Sequence, residues 1–153
     1  MSSATTLSET TLSLSVEAIK ESVYAISAMR SYLSDTDREL PPMLTRDHSA
    51  ALTPVVRDAA VYVAMRLPDL GMDIVAADDE LVTITAMLPA SAVVPVRHAL
   101  ESAVQMRVIS CCFMSCRESL AARYSADCES LITALREKAG ANTALPRLRP
   151  VRY

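Results

Sequence analysis

The stretch from Leu81 to Leu120 restricts the possible folds of this chain more than any other. It opens as LVTITAMLP, with Val82, Ile84, Ala86 and Leu88 alternating with Thr83, Thr85 and Met87. Period-two alternation rich in β-branched residues is the pattern of a half-buried strand, with the first four facing one way. Pro89 ends the strand. From Ser91 the spacing becomes helical, and Val96, Leu100, Ala103, Val104, Val108, Cys111 and Cys112 fall on one stripe. A second stripe follows at Leu120, Tyr124, Cys128, Leu131 and Leu135. One helix from Ser91 to Ala139 would be about 70 Å long. That exceeds a compact domain, so a bend or short loop is expected near Ser115–Glu118. Ser91 is the expected cap of the first of these helices, with Pro95 tolerated near its start, and Gly140 the expected cap at the end of the second.

The segments before this unit are patterned to pack on it. Met72–Ala76 and Leu81–Leu88 flank the acidic run Ala77-Asp78-Asp79-Glu80 and predict a β-hairpin. A lone hairpin is marginally stable, so it must lie on helices or join a sheet contributed by neighbouring subunits. Upstream, Leu12, Val16, Ile19, Val23, Ile26 and Leu33 form the stripe of an amphipathic helix of about five turns. Glu17, Lys20, Glu21 and Ser27 fall off that stripe, and the helix should end near Ser34–Asp35. Pro41-Pro42 predicts an extended linker. A second helix is expected from near Asp47, a possible N-cap, and at Thr53-Pro54 it either restarts or kinks. Its stripe is Leu52, Val56, Ala59, Val63 and Leu67, ended by Pro68 and Gly71.

The resulting expectation is a mainly α fold. A four-helix bundle-like domain spans 12–140, with one β-hairpin at about 72–88 inserted between helices 2 and 3. Extended arms flank it: a Ser/Thr-rich N-terminal arm over 1–11 and a basic C-terminal arm over 141–153. With 51% hydrophobic and 22% charged residues, the chain has enough apolar material for a core. Gly71 and Gly140 are its two glycines, too few for an all-β chain of tight turns or a glycine-rich phosphate loop. A net charge of −3 does not favour general nucleic-acid binding. No secretory signal is expected at Met1–Thr11. The longest uncharged run, Leu81–Val96, is broken by two prolines and too short for a membrane span. Reduced cysteines in a cytoplasm are the natural reading.

No catalytic constellation is expected. Cys112 and Cys116 are four apart, but Cys111, Cys112, Cys116 and Cys128 lack the short loop pairs of zinc sites, and small core residues are the simpler account. His48 and His98 stand alone, with Glu101 near His98 but no nucleophile placed by motif. Met29, Met65, Met87, Met106 and Met114 read as core filler. Asp78, Asp79 and Glu80 lack the spacing of a calcium loop and read as a solvated turn. No metal and no cofactor is expected. The C-terminal arm is less neutral. Arg147, Arg149 and Arg152 interleave with Leu145, Leu148, Val151 and Tyr153 and with two prolines. Solvated tails seldom carry such apolar anchors, so docking on a neighbouring subunit stands beside a disordered solubilising end.

The order of these features resembles a family. A helix ending VVRDAAVYVAMRL, a hairpin ending LVTITAMLP, the helix ALESAVQMRVISCCF, a shorter helix with Tyr124 and Leu131, and the tail PRLRPVRY follow one another from Asp47 to Tyr153. This is similar to the head–tail connector (neck) proteins of tailed phages and prophages of Bacteroidetes-type bacteria. The resemblance is one of element order, and the cysteine-rich segment Cys111–Cys116 and the long first helix depart from it. It implies a non-enzymatic virion protein that forms a homo-oligomeric ring between portal and tail, an adaptor or tail-completion protein. Its partners would be portal, tail or other neck proteins, and its location the virion, after the host cytoplasm during assembly. DNA would pass through the lumen without sequence-specific contact, because Leu81–Leu120 has no basic stripe. The interface residues on this reading are Asp78, Asp79, Glu80, Arg147, Arg149, Arg152 and Tyr153. The alternative is a cytoplasmic helical adaptor or regulatory module that presents the stripe of its first helix.

Overall fold

The computed structural model describes residues 6–33 and 43–142, the side chains of 31–33 and 140–142 excepted. It is mainly helical. Four helices, α1 (Val16–Leu33), α2 (Ser49–Met65), α3 (Val93–Phe113) and α4 (Glu118–Asn142), accompany a three-stranded antiparallel sheet of β1 (Ser8–Ser15), β2 (Asp73–Ala77) and β3 (Leu81–Leu88). The expected helical domain with a hairpin between the second and third helices is what forms.

The sheet order is β1-β3-β2, with β3 in the centre. Val82, Ile84, Ala86 and Leu88 are buried, while Thr83 and Thr85 lie on the opposite face, as the alternation requires. The companion strand that the hairpin needed comes from the chain's own N-terminal stretch. Leu12 pairs with Ile84 and Leu14 with Val82, and the main-chain N–H of Val16 donates to Glu80 O at 2.9 Å. This corrects the expected 1–11 arm and the helix from Leu12. Leu12 and Val16 fit a period of four, but Leu12, Leu14 and Val16 also fit a period of two. Pairing with β3 decides for the strand. The helix starts only after Ser15, whose Oγ accepts the Ala18 N–H at 3.2 Å, an N-cap contact.

α2 follows a 3-10 turn at Arg46–His48 and runs unbroken through Pro54. Pro54 removes one main-chain bond early in the helix, and the helix neither restarts nor caps there; Thr53 Oγ1 instead donates back to Ser49 O at 3.2 Å. Asp47 lies within the 3-10 turn and is not a cap. Gly71, at φ 62°, ends the segment after Pro68 as the sequence predicts. Leu52, Val56, Ala59, Val63 and Leu67 are all buried.

Ser91 sits in a 3-10 turn, Ala90–Ala92, and makes no cap to α3. The break between α3 and α4 falls at Met114–Arg117, where the N–H groups of Cys116 and Arg117 both donate to Phe113 O. It lies within a residue of the expected bend. Gly140 lies inside α4 instead of capping it. α3 is the central helix and touches the other three. Val96, Leu100, Ala103, Val104 and Val108 fill its inner face, and the buried Ser110 Oγ donates to Ala121 O at 2.9 Å, tying α3 to α4.

Lys20 and Ser27, expected on the outer side of α1, are buried. Lys20 is 5% exposed; its ammonium donates to Ser49 Oγ at 3.0 Å, with Glu17 at 3.7 Å. Ser27 Oγ accepts the Leu44 N–H at 3.2 Å. The first turn of α2 and the segment before it cover this side of α1, which helical periodicity within α1 alone does not reveal.

Candidate interaction surfaces

The hairpin turn is built around Asp78. Its Oδ1 accepts the N–H groups of Glu80 and Leu81, each at 2.8 Å, and its own N–H donates to Leu81 O. An aspartate that bonds its own backbone ahead is a standard way to close a turn. The Leu81 N–H, then the Glu80 N–H, hold its carboxyl below the usual carboxylate range. Asp79 reaches Arg57 of α2 at 2.9 Å. The three acids therefore do not converge: Asp78 shapes the turn, Asp79 tethers it to α2, and the Glu80 carbonyl holds the start of α1. Arg147, Arg149, Arg152 and Tyr153 lie outside the described residues.

A second polar cluster escaped the sequence. Arg66, the residue that caps α2, forks onto Glu129 of α4 through contacts of 2.9 and 2.7 Å. The Tyr62 hydroxyl accepts from Arg66 Nη1 at 2.7 Å and donates to Glu129 at 2.9 Å. Arg107 of α3 stacks on the Tyr62 ring, 4.0 Å from its centroid. Bonding to Arg66, then to Tyr62, keeps the Glu129 carboxyl low, while the bond to Glu129 raises the Tyr62 phenol. The four-residue spacing of Tyr62 and Arg66 was the one local signal; the other members come from two further helices.

A shallow apolar groove runs between α1 and the segment before α2. Tyr24, Ala25, Ala28, Met43 and Leu44 line it, and a two-pronged Arg46–Glu21 contact, 3.1 Å at each prong, closes one end. The Tyr24 side chain is buried, and its hydroxyl has no hydrogen-bond partner among the described residues.

The cysteines remain apart from any chemistry. All four are free thiols; Cys116 is exposed and Cys128 buried. Burial pushes the Cys112 and Cys128 thiols up to about 11, so neither is a ready thiolate nucleophile at neutral pH. Among the described residues no group of three or more His, Cys, Asp or Glu side chains could hold a metal ion. His98 lies 3.8 Å from Glu101 on an exposed turn of α3, and His48 Nδ1 accepts the Thr45 N–H in the turn before α2. Met29, Met65, Met87 and Met114 are exposed, not core filler, whereas Met106 packs against the core. No described helix is long and apolar enough to cross a membrane.

Other surface features are a sheet whose two edges have no outer strand among the described residues, an acid-flanked hairpin and an apolar groove on α1. No family model, no curated protein and no solved structure matches the chain.

Proposed function

We propose that this chain is a structural protein of a phage-type neck that assembles as a homo-oligomeric ring between portal and tail and acts without catalysis. The observation that carries the reading is the pair of unlike sheet edges. β1 is regular over eight residues, whereas β2 is short and bulged between Ile74 and Ala76, and neither has an outer strand among the described residues. Joining unlike surfaces head to tail gives a heterologous interface, and such interfaces close into rings when the rotation allows. The element order of the sequence supplies the neck assignment. DNA would pass through the lumen without base-specific contacts. Native mass spectrometry and electron microscopy of the purified chain test the reading. A ring is expected, and a chain that stays monomeric even with its portal or tail partner overturns it.

The groove beside Tyr24 favours a second reading, an adaptor that docks a partner helix on α1. Affinity capture separates the two. Virion morphogenesis proteins as stable partners support the neck, and regulatory proteins bound at the groove support the adaptor.

A further inference from the structure

The two free edges differ in what lies along them. β1 carries mostly hydroxyl residues, with Glu9 its one acid. β2 carries Ile74, Val75, Ala76 and Ala77, with Asp73 at one end and Asp78, Asp79 and Glu80 beyond the other. Val75 is the extra residue of the bulge and is 62% exposed. An exposed apolar strand edge is a template for a further strand. Acids at both of its ends select a cationic one.

We propose that β2 receives the C-terminal segment of a neighbouring copy, residues 143–153, as an added strand. This inference rests on the ring reading above. The segment, TALPRLRPVRY, has three arginines and no acid. Arg147 and Arg152 are five residues apart, as are Asp73 and Asp78; a regular strand of that length spans about 17 Å, and the bulge of β2 shortens its side somewhat. The cations therefore fall opposite the two acidic ends. The prolines agree with this geometry. In a strand, alternate residues turn their N–H groups to the same side, so Pro146 and Pro150 both direct their missing donors away from the sheet. Arg147, Arg149 and Val151 then offer theirs to β2. β1 is the poorer receptor because its single acid cannot match cations at both ends.

A photo-crosslinking phenylalanine analogue in place of Tyr153, in a mixture of light and 15N-labelled full chains, tests the docking. Cross-links joining one light and one heavy chain at residues 73–80 are expected. Cross-links confined to one chain, directed elsewhere, or absent overturn it. Charge reversal gives a second test. Arg147→Glu with Arg152→Glu, and separately Asp73→Lys with Glu80→Lys, should each weaken self-association at least tenfold, and all four together should restore it. If the four-fold variant stays as weak as either pair, the pairing is overturned. A ring that persists unchanged in the Arg147→Glu, Arg152→Glu chain overturns this docking and leaves the ring reading standing. A monomeric wild type, alone and with neck partners, overturns the ring reading itself.

Discussion

Arg66, just past the end of α2, and Glu129 of α4 face each other, with Nη1 on Oε1, Nη2 on Oε2 and Tyr62 bonded to each residue. A forked pair fixes relative orientation as well as distance, so it sets how α4 lies against α2. Both side chains are about 40% exposed, and solvent screening limits what the charges contribute.

Replacing Glu129 by Gln should therefore cost about 0.5–1 kcal/mol at neutral pH. The Glu129 carboxyl is held low in the folded chain, so its contribution is fully present above the unfolded carboxylate value and is lost as pH falls through the folded one. Urea unfolding of wild type and Glu129→Gln from pH 7 to pH 3 should show the two curves converging at the acid end. A difference that persists at pH 3 would mean that packing, not charge, is responsible.

The Tyr24 hydroxyl is buried and has no partner among the described residues. An unsatisfied buried polar group costs about 1–3 kcal/mol, so Tyr24→Phe should leave stability unchanged or raise it. Thermal unfolding checks this, and a clear loss in melting temperature would show that the hydroxyl has a partner in solution.

Ser15 stands at the junction of β1 and α1, where its Oγ holds the Ala18 N–H. Ser15→Ala should cost about 1 kcal/mol and Ser15→Asp should retain most of the stability, as measured by denaturant midpoints. Were the helix to begin at Leu12, position 15 would be interior and Ala would be the better residue.

The thiols should separate by accessibility and ionisation. Cys116 is exposed, whereas burial raises Cys112 and Cys128 to about 11. At pH 7.5 a thiol reagent should label Cys116 first and Cys128 only on unfolding. Mass mapping of singly labelled chains gives the order, and early labelling of Cys128 would contradict its burial.

The sequence was informative wherever one segment carried its own pattern. Val82 to Leu88 announced a strand because each residue has a consistent face, and Leu52 to Leu67 announced a helix in the same way. β1 was illegible because Leu12 and Val16 satisfy two periods at once, and only β3, distant in sequence, selects between them. Lys20 and Ser27 were misplaced for a related reason: each is polar, and each is buried by Ser49 or Leu44, which pattern within α1 cannot anticipate. The acidic turn was correctly located, but its division of labour depends on Arg57 and Val16. The Tyr62, Arg66, Arg107 and Glu129 cluster draws on three helices and exists only once they pack.

The pairing of Ser8 with Leu88 has a consequence for how the molecule forms. A bond between residues 80 positions apart has two whole helices and a hairpin between its ends. Closing so long a loop carries an entropic cost that local helix pairs avoid. The α3–α4 hairpin, joined by four residues, can nucleate early, while the N-terminal strand docks late. That makes β1 a latch that closes after the local helix pairs have formed. Until it closes, β3 offers an open side where another copy's N-terminal strand could exchange with its own.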